Sequence, residues 1–329
     1  MNRTARIAAT AGAFVASGLA ATVLNNRRST SRRLRRGEDV EFGSVHSTPL
    51  AVTADDGVSI NVEVDEADRE MPVVVFVHGW MCTLDSWHYQ RLAMRGAVRM
   101  VFMDQRSHGR SGRSGARGSS LSDLASDLAT VMDEVVPRGP VILVGHSMGG
   151  MSIMQLAIDA PELFARRVRG VVLISTTAAG ATGDLPALRY MVPLLRAASP
   201  VLQWGRTFNS YTLIKRWGLG PKAHERHVDM TNEMLLRAPV HVLTDFYANF
   251  VGLDLTPGLP TVAAAHTTVV CGTHDQITPI NASRRLAQRI ADADLVEVEG
   301  AGHMVLFEEH EQVTDAIEDV VDRVRKDLE

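Results

Sequence analysis

Val141-Ile142-Leu143-Val144 runs into Gly145-His146-Ser147-Met148-Gly149, and an apolar helical spacing follows through Ile153, Met154, Leu156 and Ala157. The pattern predicts a strand, a sharp turn and a helix, with a serine at the apex. A serine hydroxyl is a weak nucleophile until a base takes its proton, so its setting decides whether it does chemistry. A turn this tight holds the Ser147 backbone in a strained conformation. It also brings positions 145 and 149 against the neighbouring strand and helix, where side chains would collide. The serine Oγ is pushed into the open above the sheet. The helix that starts at the turn has free N–H groups in its first turn, and the backbone N–H of Met148 is ready to donate to an oxyanion.

Such a serine needs a base, and the base needs a group to orient it. Thr267-Thr268-Val269-Val270-Cys271 reads as a strand, and Gly272-Thr273-His274-Asp275-Gln276-Ile277-Thr278-Pro279 follows it, an acid on a loop closed by proline. Leu295-Val296-Glu297-Val298 reads as another strand, followed by the glycine-flanked turn Glu299-Gly300-Ala301-Gly302-His303-Met304. His303 would take the Ser147 proton and later return it to the leaving group. Asp275 would fix the imidazole tautomer and stabilise the imidazolium. His274 is the competing histidine, but it shares its loop with Asp275 and is poorly placed to lie between that acid and Ser147.

Pro72-Val73-Val74-Val75-Phe76-Val77 is an unbroken apolar run, the mark of a strand buried on both faces, and it ends in His78-Gly79-Trp80-Met81. With these residues in place, the chain resembles the α/β-hydrolase superfamily, in its serine esterase and lipase-like branch with a helical cap, over roughly residues 48–329. The resemblance implies the chain order serine, acid, histidine, which Ser147, Asp275 and His303 follow. It implies an oxyanion hole made by the backbone N–H groups of Trp80 and Met148, with the Trp80 indole available to line an acyl pocket. His78 reads as a structural residue that holds this loop and not as a catalytic base. Val101-Phe102-Met103-Asp104-Gln105-Arg106-Ser107-His108-Gly109-Arg110-Ser111-Gly112 is similar to the family's segment after the fourth strand. Asp104 and Arg106 there read as charged scaffold residues that need local partners. A serine, not an aspartate, at the elbow argues against the dehalogenases and epoxide hydrolases of this fold.

The elements that must position these residues alternate along the chain. Strands are predicted at Leu50–Thr53 and Ser59–Val64 around the Asp55-Asp56-Gly57 turn, then at 73–77, 98–103 and Gly170–Ser175, with helices near 85–95 and over 121–136. The fold class expected is α/β: a doubly wound, mostly parallel sheet with an inserted α-helical cap. Ligands of such sheets lie at the carboxyl ends of the strands, where all the residues singled out fall. Between Ser175 and His266 the alternation stops. Residues 185–252 are helical in pattern, interrupted at Pro193, Pro200, Pro221 and Pro239. Their aromatic and methionine residues include Trp204, Phe208, Tyr211, Trp217, Met230, Met234, Phe246, Tyr247 and Phe250. Most should pack the cap, and the rest would form an apolar acyl pocket. The few cations there are Arg196, Arg206, Lys215 and Arg237. The organisation expected is 1–36 as an apolar segment and Arg-rich linker, 37–175 and 263–329 as the hydrolase core, and 176–262 as the cap.

Residues 7–24 carry no charge and are alanine-rich, a length at the lower limit for a membrane span. Eight of the 34 Lys and Arg residues lie in 1–36 with no acid among them, leaving 26 against all 38 Asp and Glu in the rest, a net of −12. This asymmetry favours membrane association through 7–24 with a cytoplasmic-facing domain, the alternative being export through an N-terminal signal. The basic run lacks interleaved aromatics, so no nucleic-acid partner is expected. With two cysteines, Cys82 and Cys271, and no metal-ligand spacing, nothing in the sequence suggests a disulfide framework or a metal centre. The expectation is a cofactor-independent serine hydrolase. Its substrate would be a small-molecule or lipid ester, or a thioester, with an apolar acyl group. The alternatives are a membrane-associated acyltransferase using the same residues, a cofactor-free haloperoxidase or a non-catalytic ligand sensor.

Overall fold

The computed structural model describes residues 40–68, 71–115, 118–180, 211–212 and 214–329. Eight strands, β1 (Pro49–Thr53), β2 (Ser59–Asp65), β3 (Val73–Val77), β4 (Arg99–Met103), β5 (Val141–His146), β6 (Val168–Ile174), β7 (His266–Gly272) and β8 (Asp294–Val298), form one sheet in the order β1-β2-β4-β3-β5-β6-β7-β8. The first two pairings are antiparallel and all others parallel. The strand carrying Ser147 at its end thus lies between β3, which leads to Trp80, and β6.

The period-two geometry of strands splits the apolar runs between two cores. Val73, Val75, Val77, Val141, Leu143, Val171 and Leu173 pack on one face, and Val74, Phe76, Ile142, Val144, Val172 and Ile174 on the other. Both faces are therefore covered, as a parallel sheet requires. The helices are α1 (His88–Met94), α2 (Leu121–Val135), α3 (Met148–Asp159), α4 (Pro161–Arg167), α5 (Glu225–Arg237), α6 (Val240–Phe246), α7 (Leu259–Val262), α8 (Ile280–Arg289), α9 (Val305–Glu308) and α10 (His310–Leu328). Helix α2 starts where Ser120 and Asp123 cap each other reciprocally, and it buries Leu121, Leu124, Leu128, Val131 and Met132. Helix α10 buries Val313, Ile317, Val320, Val321 and Val324, one stripe at helical spacing.

The described part of the segment between β6 and β7 is helical, as its sequence pattern predicts. It holds α5 and α6, separated at Pro239, and a π-helical turn at Ile214–Gly218. Arg106 and Asp104 find the partners expected of scaffold charges. Arg106 makes two bonds to Asp127 (2.7 Å each) and reaches Asp56, and Asp104 accepts from Asn61, Leu84 and Arg110.

The expectation of membrane attachment is corrected by the helices themselves. Among the described residues no helix is long and apolar enough to cross a membrane. The 19-residue α10, the longest helix given above, buries only one stripe and carries acids and bases on the rest of its surface. Residues 7–24 and Arg196, Arg206, Trp204 and Phe208 lie outside the described residues.

Candidate active site

Ser147 stands between the last residue of β5 and the first of α3 with φ 52° and ψ −117°, the strained conformation expected of the elbow. Three contacts enforce it. The Ser147 N–H donates to the Ile174 carbonyl (2.9 Å), its own carbonyl accepts from Thr176 Oγ1 (2.7 Å), and the Gly150 N–H closes the turn onto that carbonyl at 3.0 Å. A Cβ at Gly149 would collide with the Val77 carbonyl, and one at Gly145 with the backbone of Gly149 and Gly150. The close approach of α3 to β3 therefore depends on glycine. Met148 is the first residue of α3, so its N–H belongs to the set that has no partner within the helix.

His303 Nε2 lies 3.1 Å from Ser147 Oγ, and His303 Nδ1 lies 2.9 Å from Asp275 Oδ2. All three residues are buried. Asp275 Oδ1 accepts the N–H groups of Ile277 and Thr278 (2.8 Å each), and Oδ2 also accepts Thr278 Oγ1 at 2.8 Å. Burial would raise the Asp275 carboxyl. The attraction of His303 and the bonds from His303 and Thr278 outweigh it and hold the carboxyl below the usual range. Thr278 Oγ1 also approaches His303 Nδ1 at 3.3 Å. His274, the competing histidine, is exposed and meets Thr273 Oγ1 at 3.2 Å.

The loop after β3 is pinned by a buried network. His78 Nδ1 donates to the Gly79 carbonyl (2.7 Å), and Nε2 accepts the Gln105 N–H (3.0 Å), which fixes the neutral tautomer. Burial pushes the His78 pKa down to about 4, so the ring acts as a strut and not as a base near neutral pH. Gln105 Nε2 donates to the His78 carbonyl (2.6 Å), and its Oε1 accepts from Ser152 of α3 (3.0 Å). The Trp80 indole donates to the Val242 carbonyl of α6 (3.0 Å) and packs against Phe250 and Tyr247 at 5.1 and 6.4 Å. The loop after β3 and the helical insertion are thus in direct contact. Arg237 pairs with Glu233 and Asp85, and Lys215 is exposed. Burial pushes the thiols of Cys82 and Cys271 up to about 12, and both are free and buried.

Sequence reading did not single out His146 as a functional neighbour. Burial pushes its pKa down to about 3, so the ring is neutral, and its Nε2 donates to the His303 carbonyl at 3.0 Å. No local pattern announces a contact between residues so far apart in the chain. Among the described residues no group of three or more His, Cys, Asp or Glu could hold a metal ion.

A family model described as the alpha/beta hydrolase family matches residues 74–316. The dihydrolipoyllysine-residue acetyltransferase component of an acetoin cleaving system in Cupriavidus necator is 37% identical over 107 residues, which are 32% of this chain and 27% of that protein. A bifunctional esterase/perhydrolase of Acinetobacter calcoaceticus is 39% identical over 112 residues, 34% of this chain and 40% of that protein. The chain therefore spans well under two thirds of these curated relatives. A thermophilic esterase from Thermogutta terrifontis superposes with a TM-score of 0.71 at 24% identity, covering 84% of this chain and 99% of the other, a likeness of fold.

Proposed function

The chain belongs to the alpha/beta hydrolase family, and on that premise we propose that it is a serine hydrolase cleaving a carboxylic ester or thioester with an apolar acyl group. The observation that carries this reading is the unbroken hydrogen-bonded chain from Ser147 Oγ through His303 to the Asp275 carboxylate, at 3.1 and 2.9 Å. Ser147 Oγ attacks the carbonyl carbon while His303 Nε2 takes its proton. Asp275 holds Nδ1–H in place and balances the positive ring. The N–H groups of Met148 and Trp80 stabilise the tetrahedral oxyanion. Collapse expels the alcohol or thiol, which receives the proton from His303. Water then enters, gives its proton to His303, attacks the acyl-enzyme and releases the acid and free Ser147. No step needs a cofactor. The contact of Trp80 with Phe250 and Tyr247 supports an apolar wall beside the oxyanion loop.

The full chain and Ser147→Ala are compared on nitrophenyl esters from acetyl to palmitoyl. Serine-dependent turnover is expected, with the variant retaining less than about a thousandth of the rate. Equal turnover by both proteins sinks the assignment. A competing alcohol in the same assay reads the acyl acceptor: free acid as the main product marks hydrolysis, and a new ester marks transfer.

A further inference from the structure

The loop that carries His303 is held at three successive residues. The Gly302 N–H donates to Glu308 Oε1 (2.9 Å), the His303 carbonyl accepts from His146 Nε2 (3.0 Å), and the Met304 N–H donates to the Gly218 carbonyl (3.1 Å). Glu308 does more than close its own loop, because its other oxygen accepts the Gly220 N–H at 2.7 Å. One carboxylate therefore bridges the histidine loop and the 218–220 segment of the helical insertion, which are distant in sequence. The two backbones lie directly against each other. A Cβ on Gly302 would collide with the Leu219 backbone, and one on Gly220 with the Gly300 carbonyl.

We propose that Glu308 is a positioning residue whose carboxylate ties the His303 loop to the helical insertion and so keeps the imidazole within reach of Ser147. The role rests on the reading of His303 as the base. Glu308 touches no reacting atom and acts through the Gly302 backbone. Its consequence is that seating of the insertion and placement of the base become one event: whatever moves 218–220 moves His303. Burial, with Asp275 and Glu309 as the neighbouring acids, pushes the Glu308 carboxyl up to about 7, and the Gly220 and Gly302 amides act against that rise. The tether is therefore best tested with the carboxylate charged, near pH 8.5.

The experiment compares wild type, Glu308→Gln and Glu308→Asp as full chains. Gln keeps one acceptor and sets an amide donor against the other backbone N–H, and Asp keeps the charge but loses reach. Amide hydrogen exchange is followed in peptides covering 214–222 and 298–306, and kcat and KM are measured on a short nitrophenyl ester. Glu308→Gln should speed exchange in both segments together by at least about tenfold, the loss of a charge-assisted bond, while β5 and β6 stay protected. Its kcat should fall about 10- to 100-fold with KM within about threefold, and Glu308→Asp should lie between. Faster exchange confined to 214–222 overturns the proposal, as does an unchanged kcat when both segments exchange faster. If Glu308→Gln does not fold, Glu308→Asp carries the same comparison. If the wild type cleaves no ester, the reading of His303 fails, and exchange alone decides whether the tether exists.

Discussion

Asp275 sits where burial and hydrogen bonding pull in opposite directions, and the bonds win. Two backbone N–H groups and the Thr278 hydroxyl point at its oxygens, so the ionised form is the one the loop is built to hold. Asp275→Asn keeps the shape but places an amide against His303 Nδ1, which favours the tautomer with Nε2 protonated. That tautomer cannot take the Ser147 proton. The expected loss in kcat is ~1000- to 10,000-fold with the fold intact by circular dichroism, and a loss below tenfold would show that Asp275 does not orient the base. Ser147, Asp275 and His303 were legible because each follows a strand and sits beside a glycine or proline that marks a turn. Glu308 was not, since in sequence it is an ordinary acid in a short helix. Its meaning comes from Gly220, whose distance along the chain hides the contact.

At the level of elements, Trp80 joins the loop after β3 to α6 through one hydrogen bond and two ring contacts. Trp80→Phe leaves the backbone N–H in place and removes only the indole donor, so the Val242 carbonyl loses that bond. A neutral hydrogen bond of this kind contributes about 1 kcal/mol. The variant should unfold at a slightly lower temperature and show a KM raised a few-fold, with kcat within about threefold, as measured on the best nitrophenyl ester. A large fall in kcat with unchanged KM would mean that the indole, not the backbone, serves the reacting centre. The sequence carried the strands well, because an unbroken run such as Val73–Val77 can be covered only on both faces. The insertion was legible as helix and as interruption, and Pro239 does separate α5 from α6. Which of its aromatic residues meet the site was not legible. The Trp80–Val242 contact joins residues far apart in the chain, and periodicity says nothing about such partners.

For the molecule as a whole, a buried carboxyl, Asp275, and a half-buried one, Glu308, make stability depend on pH in opposite senses. Asp275 is held below its ordinary value of 3.8, so the unfolded chain takes up a proton first as pH falls. Its stabilisation is present above pH 3.8 and is lost on acidification through the lower folded value. Glu308 is pushed up from 4.5 to about 7, so between those values the folded chain holds the proton that the unfolded chain has released. Its contribution is fully present below pH 4.5 and is lost as pH rises through 7, by at most about 3 kcal/mol. Glu308→Gln removes this titration. Urea unfolding at pH 5 and pH 8 should therefore show the wild type losing stability relative to Glu308→Gln on going to the higher pH. A gap between the two proteins that stays constant across that range would mean that Glu308 titrates alike in the folded and unfolded chains. The carboxylate would then bridge Gly220 and Gly302 at no cost of burial, and the charged tether would be as firm at pH 5 as at pH 8.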